Sequence, residues 1–312
     1  MAIARIVSLT LAAAVGAWGQ SSNIPKGPHP GNSAAVGLDT PASAQYKFIK
    51  IPVPNTSYAV ADGINNARVV TGYYADSSSN YHGFVWQNGV LETVNYPGAQ
   101  NTLLYGINNQ GVAIGYYGDG TTNHAVTYTI STATWTSLPD IPDYSQNDAY
   151  CINDLGFAVG NAYEGSSSAA WIWDPKAASY SMFAVPGAAE STTSPSCLNN
   201  KNQVAGYYAD SNGVYHGFLK EYGTYATIDF PGAADSFLDG INDAGIIQGQ
   251  IIDASGAADG FVASPGGVFT EVNYPGAAAT AIVGINDRGD LCGAAGRADF
   301  ATAHAFIAIL QR

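Results

Sequence analysis

Basic residues are scarce in this sequence. Its 312 residues include 11 Lys and Arg against 24 Asp and Glu, and the net charge is −13. Charged residues of both signs make up only 11% of the chain, whereas about 25% is usual in soluble domains. Nucleic acids, phosphate polymers and anionic membranes call for a basic surface. We therefore expect no nucleic-acid partner and no membrane partner, while the composition suits cations and neutral partners such as sugars.

Cysteines, long apolar runs and catalytic signatures are also rare or missing. The three cysteines show no metal-binding spacing and allow at most one disulfide. The run from Ile6 to Ala17 has about twelve residues, too few to cross a bilayer. The chain contains no Gly-x-Ser-x-Gly, His-Glu-x-x-His or phosphate-loop motif. A disulfide-dependent scaffold and the enzymes that carry those motifs are excluded.

The N-terminus has the pattern of an export signal. Arg5 precedes the apolar run, and Ala17-Trp18-Gly19 offers small residues for cleavage. We predict a signal peptide over residues 1–19, which makes the mature protein secreted, either extracellular or periplasmic. Residues 20–45 are rich in Ser, Pro, Gly and Ala and predict a flexible linker.

One phrase, Gly-Ile-Asn or a close variant, then recurs six times. Its copies follow one another at intervals of 43, 45, 46, 43 and 44 residues. The asparagines of the phrase are Asn65, Asn108, Asn153, Asn199, Asn242 and Asn286. A period of about 44 residues is typical of four-stranded propeller blades.

Each copy divides into four predicted strands, A to D. Strand A ends in the Ile-Asn pair, and strand B carries a Gly seven residues after that Asn. Strand C follows the pattern His-Gly-Phe, and strand D ends at Pro-Gly-Ala. The last copy stops after strand C, while a spare strand, Tyr46 to Pro52, precedes the first strand A. We therefore predict an all-β, six-bladed propeller over residues 46–312, closed by the N-terminal strand, which leaves no open edge. We expect it to be a monomer.

The Gly-Ile-Asn, Gly-Tyr-Tyr, His-Gly-Phe and Pro-Gly-Ala signatures resemble the HAF-type extracellular repeat family of bacterial secreted proteins. The resemblance covers roughly residues 46 to 310. It implies export and a propeller-like fold, and it implies no activity.

Three repeated side chains allow both a structural and a functional interpretation. The six asparagines of the phrase line the predicted channel as a possible calcium site, but Asn before a tight turn commonly bonds its own backbone, which we favour. The histidines at one strand-C position are interpreted as making a structural hydrogen bond that repeats from blade to blade, not as metal ligands: His82, His124, His216 and His304.

Cys151 and Cys197 replace the Gly of adjacent copies. We expect their Cα atoms to lie near or beyond the ~7 Å limit for a disulfide, and therefore favour free thiols.

The B–C and D–A connections emerge on one face of a propeller, and their longer loops favour ligand binding there. Acidic and aromatic side chains on this face suit sugars or cations. The candidate ligand-binding residues are Asp76, Asn80, Asp119, Glu164, Asp210, Asp235, Asp253, Tyr74, Tyr81, Tyr117 and Tyr208.

Near-uniform blades favour a non-enzymatic binding or scaffold module that holds a glycan or protein partner on the B–C/D–A face. The alternative is a calcium-dependent lyase, lactonase or hydrolase, in which some of the asparagines and an acid such as Asp62 or Asp239 hold an ion in the channel. A purely structural surface protein is a third hypothesis. We expect no cofactor apart from this calcium.

Overall fold

The computed structural model describes residues 45–253 and 256–311. The predicted signal peptide and all but the last residue of the predicted linker lie outside these ranges. The described residues form 24 strands in six antiparallel four-stranded sheets. These sheets are the blades of a six-bladed β-propeller, as predicted. Within the same ranges, no helix has the length and apolar character needed to cross a membrane.

The strands follow the repeat, with strand A first in each blade. Blade 1 consists of β2 (Ala59–Ile64), β3 (Val70–Ala75), β4 (Tyr81–Gln87) and β5 (Val90–Val94). Blade 2 consists of β6 (Asn101–Ile107), β7 (Val112–Gly118), β8 (Asn123–Thr129) and β9 (Thr134–Ser137), with a 3-10 turn at Ile130–Thr132. Blade 3 consists of β10 (Gln146–Ile152), β11 (Ala158–Glu164), β12 (Ser167–Asp174) and β13 (Ser179–Phe183).

The other three blades repeat this order. Blade 4 consists of β14 (Ser194–Leu198), β15 (Val204–Ala209), β16 (Tyr215–Glu221) and β17 (Thr224–Ile228). Blade 5 consists of β18 (Asp235–Ile241), β19 (Ile247–Ile252), β20 (Ala258–Ala263) and β21 (Phe269–Glu271). Blade 6 consists of β22 (Ala279–Ile285), β23 (Leu291–Gly296), β24 (Ala303–Leu310) and the N-terminal β1 (Tyr46–Lys50).

The N-terminal strand closes the ring. β1 pairs antiparallel with β24, in a register that sets Tyr46 opposite Leu310 and Lys50 opposite Phe306. A parallel bridge between Tyr58 and Ala303 joins blade 1 to blade 6 beside this closure. The prediction that the N-terminal strand completes the last blade is therefore confirmed.

Every A–B strand pair contains a β-bulge just before the Gly-Ile-Asn phrase. The register shifts between Ala61 and Gly63 in blade 1, and at the matching point in the five other blades. The extra residue of a bulge is not paired with the neighbouring strand, and the bulge redirects its side chain. The residue in the bulge, three before the Asn, therefore faces the propeller axis in all six blades.

The strand-B glycine is explained by the same bulge. On Gly72 and its five counterparts, a Cβ would overlap a carbonyl oxygen of strand A in the same blade. In several blades the aromatic ring of strand C also covers this position, as Phe84 covers Gly72 and Trp171 covers Gly160. Because these rings are fully buried, the strand-C aromatics form the packing layer between blades.

The A–B turns end in a left-handed backbone conformation, in five blades at Gly or Asn, the residues that most readily adopt it. Their last residue has a positive φ in every blade, at Arg68, Gly111, Gly156, Asn202, Gly245 and Gly289. Arg68, the one residue of this set that is neither Gly nor Asn, adopts φ 59°. Its guanidinium Nε donates to Asp290 of blade 6 at 2.8 Å, so this turn also ties two blades together.

Candidate functional site

The asparagines of the phrase form a continuous ring of hydrogen bonds at the A–B end of the channel. We call this set the inner asparagine ring: Asn65, Asn108, Asn153, Asn199, Asn242 and Asn286. Each Nδ2 donates to the main-chain carbonyl of the asparagine in the next blade, at 3.0–3.2 Å, and Asn286 closes the circle on Asn65. Each Oδ1 accepts the backbone N–H groups two and four residues further on.

The preferred interpretation of these asparagines as turn-bonding residues is confirmed. Both kinds of oxygen that would bind calcium, the side-chain Oδ1 and the main-chain carbonyl, already accept N–H groups. A cation at this ring would have to replace those bonds. Among the described residues, no group of three or more His, Cys, Asp or Glu side chains is placed to hold a metal.

A second ring, which the sequence analysis missed, lies outside the first. It is built from the residue after each asparagine: Asn66, Asn109, Asp154, Asn200, Asp243 and Asp287. Each backbone N–H donates to the side-chain Oδ1 of the next blade at 2.7–2.9 Å, and Asp287 closes the circle on Asn66. The signal was present in the sequence, because this position is Asn or Asp in all six copies. We call this set the outer rim.

Asn108→Ala is expected to lower the free energy of unfolding by about 2–3 kcal/mol, because buried groups that lose a partner cost about 1–3 kcal/mol each. The substitution leaves the Val112 N–H without its acceptor and removes one of the two donors to the Asn153 carbonyl, which keeps the Gly156 N–H. Urea denaturation measures the loss. Gln110→Ala is the control, since Gln110 is exposed in the same turn and should change stability by less than about 0.5 kcal/mol. If the two variants are equally stable, the hydrogen bonds of the inner asparagine ring do not stabilise the fold as proposed.

Behind the inner asparagine ring lies a cavity of about 80 Å³ on the axis, which we call the axial chamber. The bulge residues line it: Asp62, Tyr105, Tyr150, Ser196, Asp239 and Val283. Unlike the rest of the repeat, this position differs between blades. The six blades therefore present an asymmetric set of side chains to one point, in contrast to the uniform blades expected from the sequence.

Aromatic rings fill the axis on the B–C side of the chamber. Tyr105 contacts Tyr73 and Tyr150 edge-to-face, with centroids 5.7 and 5.6 Å apart. Tyr207 contacts Phe237 in the same way at 5.1 Å. On the other side, the isoleucines of the phrase line both the chamber and the mouth formed by the two rings. The chamber therefore adjoins the mouth at the A–B end of the channel.

The two acids of the chamber are enclosed in an environment without basic groups. Enclosure raises the pKa of the Asp62 carboxyl to about 8. Asp239 is only 5% exposed, and its Oδ2 accepts the Gln250 Nε2 at 3.1 Å. No Lys, Arg or His is among the residues that line the chamber.

Cys151 and Cys197 form a disulfide between strands A of blades 3 and 4, with their Cα atoms 4.9 Å apart. The expectation that these Cα atoms lie near or beyond the disulfide limit, and the preference for free thiols that followed from it, are therefore wrong. Neighbouring strands A approach closely at this position: a Cβ on Gly106 would lie 2.9 Å from the Cα of Cys151. Cys292 is a buried free thiol.

On the B–C/D–A face, the predicted acids hold their own loops. Asp76 Oδ1 accepts the N–H groups of Ser78 and Asn80, and Asn80 Nδ2 donates to Asp76 Oδ2. Asp119, Asp210 and Asp253 accept loop N–H groups in the same way. The Asn80 N–H lowers the pKa of the Asp76 carboxyl well below the usual range. The Thr121 hydroxyl, followed by the Thr122 N–H, does the same to the pKa of Asp119.

Two further acids fix neighbouring segments. Glu164 Oε2 accepts the Ser145 N–H at 3.0 Å, and Asp235 Oδ1 accepts the Tyr215 N–H at 2.8 Å. Tyr81 does not join the acids, because its ring packs on Tyr73 in the axial aromatic cluster. The predicted ligand-binding residues are thus distributed around the face and do not converge on one point.

Three blades do bring predicted residues together in an equivalent unit. In blade 1, the His82 ring lies 5.3 Å from the Tyr74 ring, with Nε2 3.2 Å from Asp76 and Nδ1 2.9 Å from Asn95. Tyr117, His124 and Asp119 repeat it in blade 2, and Tyr208, His216 and Asp210 in blade 4. We call these the Tyr–His–Asp units.

His82 thus bonds both the B–C loop and the D–A segment. His124 bonds Thr122 of the B–C loop at 2.9 Å, and His216 bonds Asp229 of the D–A segment at 2.8 Å. A structural hydrogen bond of the histidine is therefore confirmed in these blades, with partners that differ from blade to blade. In blade 5, Asp259 takes the position of the His and accepts Asn273 Nδ2 at 2.8 Å. His304 in blade 6 differs, because its Nε2 is buried without a hydrogen-bond partner and burial lowers its pKa.

Solved structures show the same fold in proteins of distant sequence. The chain is similar to TolB from Acinetobacter baumannii, with a TM-score of 0.54 and 9% identity over 84% of this chain and 66% of TolB. It is similar to the SapL1 lectin, solved with alpha methyl fucoside, with a TM-score of 0.50 and 11% identity over 78% of this chain and 89% of the lectin. It is also similar to XC5397, a gluconolactonase from Xanthomonas campestris, with a TM-score of 0.52 and 9% identity over 85% of this chain and 89% of XC5397.

These likenesses concern the fold alone, since all three identities are very low. The chain spans just under two thirds of the length of TolB. No protein-family model matches the sequence, and no curated protein matches it.

Proposed function

We propose that the protein is a secreted, non-enzymatic binding module that holds a glycan on its B–C/D–A face. The observation that carries the proposal is the threefold occurrence of the Tyr–His–Asp unit in blades 1, 2 and 4. A site that recurs with the same geometry suits a ligand that itself repeats, such as a polysaccharide. An enzyme, in contrast, needs different groups that converge on one reacting bond.

The chemistry of each unit fits a sugar. The histidine ring lies over a tyrosine ring and offers a flat, partly exposed surface, with 24–31% of the His side chain accessible. An acid and a polar D–A residue flank that surface, so they can accept or donate hydrogen bonds at the edge of a stacked ring. Because at least one hydrogen bond holds each histidine, less side-chain entropy is lost on binding.

The structure limits which predicted aromatics take part. Tyr208 is only 9% exposed and lies beneath His216, and Tyr81 packs in the axial cluster. The accessible rings of the units are therefore the three histidines, together with the half-buried Tyr74 and Tyr117.

The proposal predicts that a combined His82→Gln, His124→Gln and His216→Gln variant loses glycan binding. Gln keeps a polar side chain at each position but removes the flat ring. Several equivalent sites on one surface raise avidity by roughly 10²–10⁴-fold. We therefore expect the triple variant to bind at least about 100-fold more weakly on a glycan array, and the single His82→Gln variant to lose less.

Tyr222→Ala is the matched control, since Tyr222 is 86% exposed in the C–D turn on the opposite face. It should bind like the wild type, and thermal melts establish that all variants fold. If no glycan binds the wild type, or if the triple variant binds equally well, the glycan proposal is wrong. If the wild type instead binds an extracellular protein, and the triple variant does not, the ligand of this face is a protein and not a glycan.

A calcium-dependent lyase, lactonase or hydrolase is the second candidate, and the axial chamber is the observation that favours it. Asp62 and Asp239 lie there together. The chamber adjoins the mouth at the A–B end, however, and is lined by no basic side chain to stabilise a developing negative charge. The binding module is therefore the better-supported function, and calcium-dependent turnover of a lactone or glycan substrate would reverse this order.

A further inference from the structure

Blade 6 departs from the Tyr–His–Asp unit at each position around its histidine. Ala295 lies opposite His304 in the ladder, where the units have a tyrosine. Arg297 follows strand B, where they have an aspartate. Pro52 takes the D–A position at which an Asn or Asp bonds the histidine in blades 1 and 4. None of these three side chains can accept a hydrogen bond, and His304 Nε2 has no hydrogen-bond partner.

The basic side chains of the B–C/D–A face also belong to blade 6. Four residues after the strand-B glycine, the five other blades carry an acid, whereas blade 6 carries Arg297. Lys50 lies beside it at the end of β1 in sequence, where strand D meets the same face. The other Lys and Arg within residues 45–253 and 256–311 lie at or near the A–B and C–D turns: Lys47, Arg68, Lys176, Lys201, Lys220 and Arg288.

The two basic side chains of this face differ in their pairing. Arg297 Nε donates to Asp299 Oδ1 at 3.2 Å. Lys50 is exposed, and none of the ion pairs between described residues includes it. In a chain with a net charge of −13, the unpaired positive charge of this face is therefore that of Lys50.

Lys50 and His304 line one cavity of about 330 Å³, which we call the seam pocket because it lies where blade 6 meets blade 1. Its size is that of a site for a small molecule, since such sites begin at about 300 Å³. Burial and, to a lesser degree, the charge of Lys50 lower the pKa of His304. The imidazole is therefore neutral at pH 7, and one of its nitrogen atoms carries a hydrogen that it can donate.

The remaining walls of the seam pocket are mostly apolar and are held in place. They consist of residues 51–54, Thr56, Ala59 and the start of β24. The Ile51 N–H donates to the Ala305 carbonyl at 2.9 Å, and Thr56 Oγ1 donates to the Ala75 carbonyl at 2.6 Å. Pro52 and Pro54 restrict the backbone between these bonds. A ligand therefore meets a pocket that is already formed, which lowers the entropy lost on binding.

We propose that the seam pocket binds a small organic acid through its carboxylate. The Lys50 ammonium group pairs with the carboxylate, and the apolar walls contact the body of the molecule. No hydrogen bond at Nε2 holds the His304 ring in one orientation, so the imidazole can turn to donate a second hydrogen bond. The acids of the other five blades repel an anion, which restricts its binding to blade 6. This inference is independent of the glycan proposal, because the Tyr–His–Asp units lie in blades 1, 2 and 4.

Isothermal titration of the full chain with benzoate and with glucuronate tests the proposal. Both probes carry a carboxylate, attached to an apolar ring in one and to a sugar ring in the other. We expect at least one of them to bind saturably, and its neutral analogue, benzamide or glucose, to bind much more weakly. Lys50→Gln should weaken binding of the acid at least about tenfold, because a charge-assisted hydrogen bond is lost. His304→Gln should weaken it to a smaller extent.

Lys47→Gln is the matched control, since it removes the same charge from an exposed position near the other end of β1 and should bind like the wild type. The triple histidine variant of the Tyr–His–Asp units should also keep its affinity for the acid, which separates this site from the glycan site. Binding of benzoate identifies a free organic acid as the ligand class, and binding of glucuronate alone identifies a sugar acid. If neither acid binds, if the neutral analogues bind as tightly, or if Lys50→Gln binds like Lys47→Gln, the proposal is wrong.

Discussion

Gly115→Ala is expected to prevent folding, or to lower the free energy of unfolding by more than about 4 kcal/mol. A Cβ at this position would overlap the Leu103 carbonyl oxygen, and would lie 2.9 Å from its carbonyl carbon and 3.0 Å from the Leu104 Cα. All three are backbone atoms of strand A, which cannot move without breaking the bulge. Overpacking of a core costs about 1–3 kcal/mol when side chains can yield, and here none can.

The measurement is soluble yield together with urea denaturation of whatever folds. Gly266→Ala is the matched control: it lies in the C–D turn of blade 5, where a Cβ would meet only the Ser264 Oγ at 3.7 Å. That variant should change stability by less than about 0.5 kcal/mol. Gly249→Ala repeats the test in blade 5, where the overlap falls on the Phe237 carbonyl. Near-normal stability of both strand-B variants would show that the bulge is not what requires glycine.

The fold was predictable because its information is repeated six times. The spacing of the Ile-Asn pair sets the blade length, and the spare strand at Tyr46 matches the strand missing from the last copy. Turn residues such as Gly111 and Asn202 mark the A–B hairpins independently of hydrophobic pattern. A single copy would have been ambiguous, but six copies with complementary ends admit one closed arrangement.

The chamber was harder to predict because of the bulge. Regular strand alternation assigns side chains to the two faces of a blade, and the bulge adds a residue that belongs to neither. The sequence analysis names Asp62 and Asp239 as acids near the phrase. It does not show that their position is the one that varies between blades. A comparison of the six residues three places before each Asn would have identified the asymmetric set.

The cysteines also show what spacing in the sequence does not predict, namely the distance between neighbouring strands. Spacing placed Cys151 and Cys197 in the same phase on adjacent blades, which is correct. The separation of neighbouring inner strands was overestimated, because glycine at this position lets the backbones of most blades approach closely. A Cβ on Gly63, for example, would lie 2.5 Å from the Tyr105 carbonyl oxygen. Where glycine is replaced by a pair of cysteines, this proximity allows a bond.

Loss of that bond is expected to lower the free energy of unfolding by about 4 kcal/mol, because the disulfide closes a loop of 46 residues and restricts the unfolded chain. For a domain of this size the melting temperature should fall by roughly 10 °C. A Cys151→Ala, Cys197→Ala double variant and the wild type under reductant should melt at the same temperature. Adding reductant to the double variant should then change nothing, because Cys292 is a buried free thiol.

The comparison separates the bond from the packing of its sulfur atoms. If the double variant is less stable than the reduced wild type, the difference measures the lost side-chain packing of the two thiols. If reductant leaves the wild-type melting temperature unchanged although both thiols become reactive to alkylation, the cross-link does not stabilise the ring. The inner asparagine ring, with its bond from Asn153 to Asn199 beside the disulfide, would then hold blades 3 and 4 together without it.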